Sequence, residues 1–147
     1  MKLVLKTKVK AYYKDVMARF DRDLSLALAP PFPPVELKKF TGSETGDEVH
    51  IWFKSPVNKD WISDIMDHGV NEKEAYFVDV GRVVPPPLKR WAHRHVVRHI
   101  SEESCEIIDD MEYDCGNGVL NVLMYPALLL GFLPRKIIYK RYFNKNL

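Results

Sequence analysis

An α+β fold is what this sequence predicts: a curved antiparallel sheet of about six or seven strands wrapped around a long C-terminal helix, with two short helices after the first strand. Three observations carry that expectation. Through the middle of the chain, short runs alternate apolar with polar residues and are parted by glycine, proline and asparagine, the pattern of half-buried strands. Helical spacing occurs only near the start and at the end. The final segment is at first apolar almost all round, and a helix of that kind must be covered, here by the sheet.

Taken in order, residues 2–9 form the first strand. Leu3, Leu5, Thr7 and Val9 share one face, and the lysines Lys2, Lys6, Lys8 and Lys10 fall largely on the other, which suits an exposed or edge position. Over residues 13–28 the period changes: Val16, Met17, Phe20, Leu24 and Leu28 recur at helical spacing, and Asp21-Arg22-Asp23 marks a break between two short helices. Pro30-Pro31-Phe32-Pro33-Pro34 then ends all helix, because proline lacks the amide hydrogen and its ring clashes with the preceding turn. Strands follow over residues 35–40 and 48–54, across a polar loop with two glycines; Val49, Ile51 and Phe53 alternate with Glu48, His50, Trp52 and Lys54. Runs 59–68 and 74–82 meet near Gly69-Val70-Asn71, and with the next two runs they make an antiparallel meander.

The organising stretch is residues 90–113, two strands joined by Ser101-Glu102-Glu103-Ser104. Side chains alternate between faces along a strand, so Trp91, His93, His95, Val97 and His99 stand together, as do Cys105, Ile107, Asp109, Met111 and Tyr113. Both sets mix apolar with titratable residues. A plain core would not carry His93, His95 and Asp109, since an unpartnered buried polar group costs about 1–3 kcal/mol. That face lines a pocket or holds something polar. After the turn Cys115-Gly116-Asn117-Gly118, the rest reads as helix, apolar over residues 119–133 and basic and amphipathic beyond.

At 147 residues the chain fits one domain, residues 1–147, with a sizeable core. A net charge of +2 gives no footing for nucleic acid. The start alternates lysine with apolar residues and lacks the continuous apolar core of a secretory signal, so a cytoplasmic protein is expected. Cys105 and Cys115, the only cysteines, would lie roughly 33 Å apart if they share one extended strand, too far to bridge. The apolar run of about 16 residues after the turn, interrupted by Pro126 and Gly131, is short of the roughly 20 needed to span a bilayer, so no stable membrane insertion is expected.

With these elements placed, the chain resembles the START-like, helix-grip superfamily, also called SRPBCC, and within it a bacterial branch of ligand-binding or polyketide-cyclase-like proteins. The resemblance rests on Pro30-Pro31-Phe32 after two short helices, Trp61 and Ile65 in a middle strand, Phe77 with Asp79, then Trp91-x-His93-x-His95, and Asp109-x-Met111-x-Tyr113 before the final helix. It implies a sheet gripping the C-terminal helix around a deep cavity for a hydrophobic or amphipathic small molecule. Two departures stand out. Pro86-Pro87-Leu88 occupies the place of the branch's Gly-Pro-Phe, and Ile138-Tyr139-Lys140-Arg141 that of its Phe-x-Tyr-Arg, so that only Arg141 carries over. The superfamily hosts carriers, lipid-transfer proteins, cyclases and hydrolases, and the fold by itself does not choose among them.

The candidate chemistry takes three forms. Binding without reaction is the expected function: Trp61, Phe77, Trp91, Met111 and Tyr113 supply an apolar wall, and Asp79, His93, His95 and Asp109 a few fixed polar contacts. The alternative is a cyclase- or dehydratase-like enzyme in which His93, His95 and Asp109 move protons on a carbonyl substrate. The third form is a metal site. His93 and His95, roughly 7 Å apart along a strand, could converge on an ion with Asp79 or Asp109, but the same groups equally make a hydrogen-bonded network, and neither metal nor cofactor is expected. The cations of residues 135–145 read as a solvated helix end, with a membrane-surface contact beside the apolar run as the other option.

Overall fold

The computed structural model describes residues 1–144; Lys145, the last cation of the expected basic tail, lies outside them. The chain runs β1 (Lys2–Val9), α1 (Tyr13–Ala18), α2 (Arg22–Ala27), β2 (Val35–Phe40), β3 (Glu48–Phe53), β4 (Lys59–Val70), β5 (Glu74–Val83), β6 (Arg90–Ser101), β7 (Ser104–Asp114), α3 (Gly118–Phe132) and α4 (Arg135–Asn144). The strands form one antiparallel sheet in the order β1-β7-β6-β5-β4-β3-β2, so six consecutive strands meander and β1 returns to pair with the last. The lysine-lined first strand therefore lies at an edge, where charge blunts the open backbone. Register shifts between Leu37 and Lys39, Ile62 and Ser63, Ile65 and Asp67, and His99 and Ser101 mark irregularities of the kind that bend a strand.

Local chemistry sets the helix ends. Asp21 caps α2 by accepting the Leu24 amide at 3.0 Å, which makes the expected break between the two short helices a capped start. The Asn117 side chain accepts the amides of Val119 and Leu120 to open α3. Asn121, one turn in, accepts the Cys115 amide at 2.6 Å and fastens the helix to the end of β7. A turn at Leu133-Pro134 separates α3 from α4.

Beneath the helices the core falls into two apolar clusters. One gathers Val9, Tyr13, Phe20, Phe77, Val97, Ile107, Tyr139 and Phe143; the other gathers Leu3, Leu88, Trp91, Met111, Tyr113, Cys115 and Leu128. Between them, on β5, β6 and β7, stand Asp79, His93, His95 and Asp109.

The covered helix expected from composition is a correction. Only Leu128 of α3 is buried, and Val119, Leu120, Val122, Leu123 and Leu130 are exposed. The sheet covers one side of α3, and an apolar residue on the opposite side has no second layer to enter.

Candidate functional site

The site begins with strand register. Across β5 and β6, Asp79 is opposite His93 and Phe77 opposite His95; across β6 and β7, His95 is opposite Asp109 and His93 opposite Met111. Each histidine reaches past its direct partner to a diagonal carboxylate. His93 Nε2 lies 2.9 Å from Asp109 Oδ1, and His95 Nε2 lies 2.5 Å from Asp79 Oδ2. Because the two rings cross in opposite directions, they stack, with centroids 3.6 Å apart and planes 22° from parallel. Phe77 extends the stack against the other face of His95 at 4.2 Å.

From the helix side, Arg135 and Tyr139 complete the cluster. Arg135 Nη1 donates to Asp109 Oδ1 at 3.4 Å, and the Tyr139 hydroxyl donates to the same oxygen at 3.2 Å. The guanidinium also lies over the Phe132 ring, 4.6 Å from its centroid. Asp109 is thus a hub, fully enclosed and fed by donors from β6 and α4.

The electrostatics follow from burial and crowding. Burial lowers the pKa of His95, and the neighbouring His93 adds to that; together they outweigh the help of Asp79 and bring it to about 4, so the ring is neutral at pH 7. Its Nε2 proton goes to Asp79, and its Nδ1 is buried with no hydrogen-bond partner, 3.9 Å from Asp109 Oδ1. Burial works against ionising Asp109, yet the His93 hydrogen bond and the Arg135 charge win and hold its carboxyl well below the usual range. Asp79 is likewise lowered, with burial opposing and the His95 hydrogen bond prevailing. Burial pushes the Tyr139 phenol up, so it remains a donor.

In front of this cluster is a cavity of about 390 Å³ between the sheet and the helices. Its outer walls are apolar, with Leu24 of α2 and Leu28 just beyond its end, Ile51 and Phe53 of β3, and Leu128 and Phe132 of α3. At the inner end the surface turns polar: Ser63, Asp79, His93, His95 and Arg135 all reach it. Trp61 and Trp91 meet edge to face at 5.0 Å in the same wall, and the Trp61 indole N–H donates to the Ser63 hydroxyl at 3.2 Å.

Six of the residues singled out in the sequence, Trp61, Phe77, Asp79, Trp91, His93 and His95, line this cavity. Asp109 sits behind His93 and acts through it. Met111 and Tyr113 face the apolar cluster at the end of β7, and the Tyr113 hydroxyl is spent on the Asn121 carbonyl at 2.7 Å. Sequence reasoning missed Ser63, Arg135 and Tyr139. Arg135 and Tyr139 are one helical turn apart, and that spacing was the available signal. Read instead as part of a solvated basic end, Arg135 is in fact turned inward, while Arg141, the position matching the superfamily pattern, is exposed.

Asp79, His93 and His95 each offer a ligand atom within 4.8 Å of the others, with Asp109 behind His93 as an orienting carboxylate. The stacked rings set their nitrogen lone pairs side by side rather than convergent, so coordination requires one ring to turn out of the stack. In the geometry present, the cluster is a hydrogen-bonded one.

No protein-family model matches the sequence, and no curated protein does. Solved structures do match over nearly the whole chain. A norcoclaurine synthase point mutant from Thalictrum flavum, in complex with a transition state analogue, is 13% identical, with a TM-score of 0.72 over 99% of this chain and 95% of that one. The Zhui aromatase/cyclase from Streptomyces sp. R1128 is 12% identical, with a TM-score of 0.68 over 95% and 90%. A solution structure from Thermobifida fusca is 14% identical, with a TM-score of 0.70 over 96% and 92%. At these identities the likeness concerns architecture alone: the chain shares the helix-grip fold of these structures.

Proposed function

We propose that this protein binds a hydrophobic or amphipathic small molecule in the cavity between its sheet and C-terminal helices. The observation that carries this is the division of one cavity into an apolar body and a polar inner end. An apolar moiety gains by leaving water against Leu, Ile and Phe side chains, and the few groups at the inner end fix its orientation. Ser63 and His95 suit a hydroxyl or carbonyl, and Arg135 a partial or full negative charge. Asp79, ionised and on the same wall, disfavours an anionic group placed beside it. A polar but uncharged head group, such as a hydroxyl or ketone, fits this balance best. A cytoplasmic address belongs to the same proposal.

One observation favours a second reading, a cyclase- or dehydratase-like enzyme. His95 is on the cavity wall, neutral at pH 7 and oriented by Asp79, with its buried Nδ1 left without a hydrogen-bond partner, which is the arrangement of a weak proton acceptor. Two of the structural neighbours are named as a synthase and an aromatase/cyclase, which keeps this chemistry in view.

Mass spectrometry under native and denaturing conditions tests the binding proposal. Excess mass in the folded protein, released as an apolar molecule on denaturation, is the expected result. Protein that purifies empty and takes up no apolar hydroxy or keto compound contradicts it. Under the enzyme reading, His93→Ala or Asp109→Asn abolishes turnover of a carbonyl substrate but leaves its binding largely intact. Turnover retained in variants that fold by circular dichroism and still bind the substrate contradicts that reading.

A further inference from the structure

Helix α3 presents a second apolar face, directed away from the cavity. Val119, Val122, Leu123, Pro126, Leu130 and Leu133 recur at intervals of three and four, which puts them on one side of the helix, and all are exposed. Val119, Leu123 and Leu130 keep 68%, 66% and 69% of their surface in water. Between Asp114 and Arg135 there is no charged residue. Soluble surfaces carry single exposed apolar residues as a matter of course, but a continuous stripe of this length marks an interaction site.

Three features say what covers it. The first is charge: residues 115–144 contain no acid, and exposed cations stand at both ends of the stripe. Lys140 and Arg141 lie on α4; Lys89 stands at the turn before α3, its amide bonded to the Asp114 carbonyl at 2.8 Å, beside Arg90, which pairs with the Asp114 carboxylate at 3.7 Å. The second is the chemistry of the stripe itself, which has no side-chain hydrogen-bonding group. Protein interfaces of ordinary composition carry about one hydrogen bond per 100–200 Å², whereas the acyl layer of a membrane asks for none. The third is position: Leu26 and Phe32 on one side of the cavity and Ala127 of α3 on the other are exposed cavity-lining residues, so the cavity opens beside the stripe.

We propose that α3 docks this protein on the surface of an anionic lipid bilayer, apolar stripe inward, with the cavity mouth at the acyl boundary. The docking stands on α3 alone; that the cavity takes its ligand from the membrane rests on the binding function proposed above. By length and composition, residues Gly118–Asn144 would suffice to cross a bilayer. They lie on it instead, because Leu128 of α3 and Tyr139 and Phe143 of α4 are locked into the two core clusters, and Arg135 into the polar one.

The test is co-sedimentation of the full chain with phosphatidylcholine vesicles, with and without phosphatidylglycerol, at low and high salt. The protein is expected to pellet with the anionic vesicles at low salt and to be released by salt. The combined variant Val122→Ser, Leu123→Ser, Leu130→Ser changes only exposed positions and is expected to fold normally by circular dichroism while losing roughly tenfold or more of the vesicle binding. Lys140→Glu with Arg141→Glu is expected to lose the preference for phosphatidylglycerol. Absence of pelleting at low salt, or pelleting unchanged in the serine variant, overturns the proposal. So does a dimer in light scattering that the serine variant converts to monomer, which would make a second copy the occupant. Native mass spectrometry of the serine variant separates the two proposals: retained ligand with lost vesicle binding leaves both standing, and retained ligand without vesicle binding in the wild type removes the docking alone.

Discussion

Two regions of this molecule put side chains where simple partition would not. On the inward faces of β5, β6 and β7, Asp79, His93, His95 and Asp109 occupy positions that the neighbouring rows fill with Trp91, Val97, Ile107 and Met111. On the outward face of α3, Val119, Leu123 and Leu130 occupy positions where water would favour lysine or glutamate. The difference lies in what each region does about its cost. The ionisable layer is satisfied internally at every member but one atom, His95 Nδ1, by crossed histidine–carboxylate bonds and by Arg135 and Tyr139 from the helix. Among the described residues nothing covers the apolar stripe, which faces outward, as a surface that meets a partner does.

That contrast gives the two regions opposite sensitivities. Asp109→Leu removes the acceptor shared by His93, Arg135 and Tyr139 and leaves a guanidinium buried without its carboxylate. A loss of about 3–5 kcal/mol in denaturant unfolding is expected, and a loss under ~1 kcal/mol would mean that the layer is not held as described. Next in size is the response to acid. His95 has a folded pKa of about 4, below its ordinary 6.5, so the unfolded chain takes up the proton first as pH falls. The associated stability is complete above the unfolded value and is lost as pH drops through that window. Asp79 and Asp109, both lowered, continue the decline below the ordinary carboxylate value of 3.8. Unfolding free energies measured between pH 7 and pH 4 should therefore fall by a few kcal/mol, and a flat profile would contradict the neutral, buried His95.

Smaller still is the expected effect of Arg135→Met. The methionine keeps most of the apolar packing against Phe132 but removes one of the donors to Asp109, so a loss of about 1–3 kcal/mol is expected, together with a rise in the pH at which acid unfolding begins. At the far end, Leu123→Ser and Leu130→Ser should each change stability by no more than about 0.5 kcal/mol by thermal or denaturant unfolding. A large loss there would mean that the stripe packs against something within the chain.

Much of the fold was legible because strand alternation and proline punctuation are local. The proline run after Leu28 and the alternation around His93 and His95 fix elements whatever surrounds them. The polar layer was legible in part for the same reason: alternation alone puts His93, His95 and Asp109 on an inward face. Which carboxylate each histidine takes was not, because the choice is diagonal across strands and depends on ring direction. Arg135 and Tyr139 were hidden by composition, since a basic helix end looks solvated until the sheet beneath shows which face it presents. The exposure of α3 was hidden by the inverse error. An apolar helix tells nothing of how many of its sides the fold has layers to cover.

The most direct test of the cavity's role compares the wild type with Val49→Trp by native mass spectrometry. Val49 lies on the cavity wall in β3, opposite Ser63 and separated by β4 and β5 from the histidines of β6, so an indole there fills space without replacing any member of the histidine–carboxylate bonds. Excess mass in the folded wild type that is absent or sharply reduced in the Val49→Trp protein is the expected result. The same excess mass in both would place the bound molecule elsewhere, and the cavity would then be no binding site.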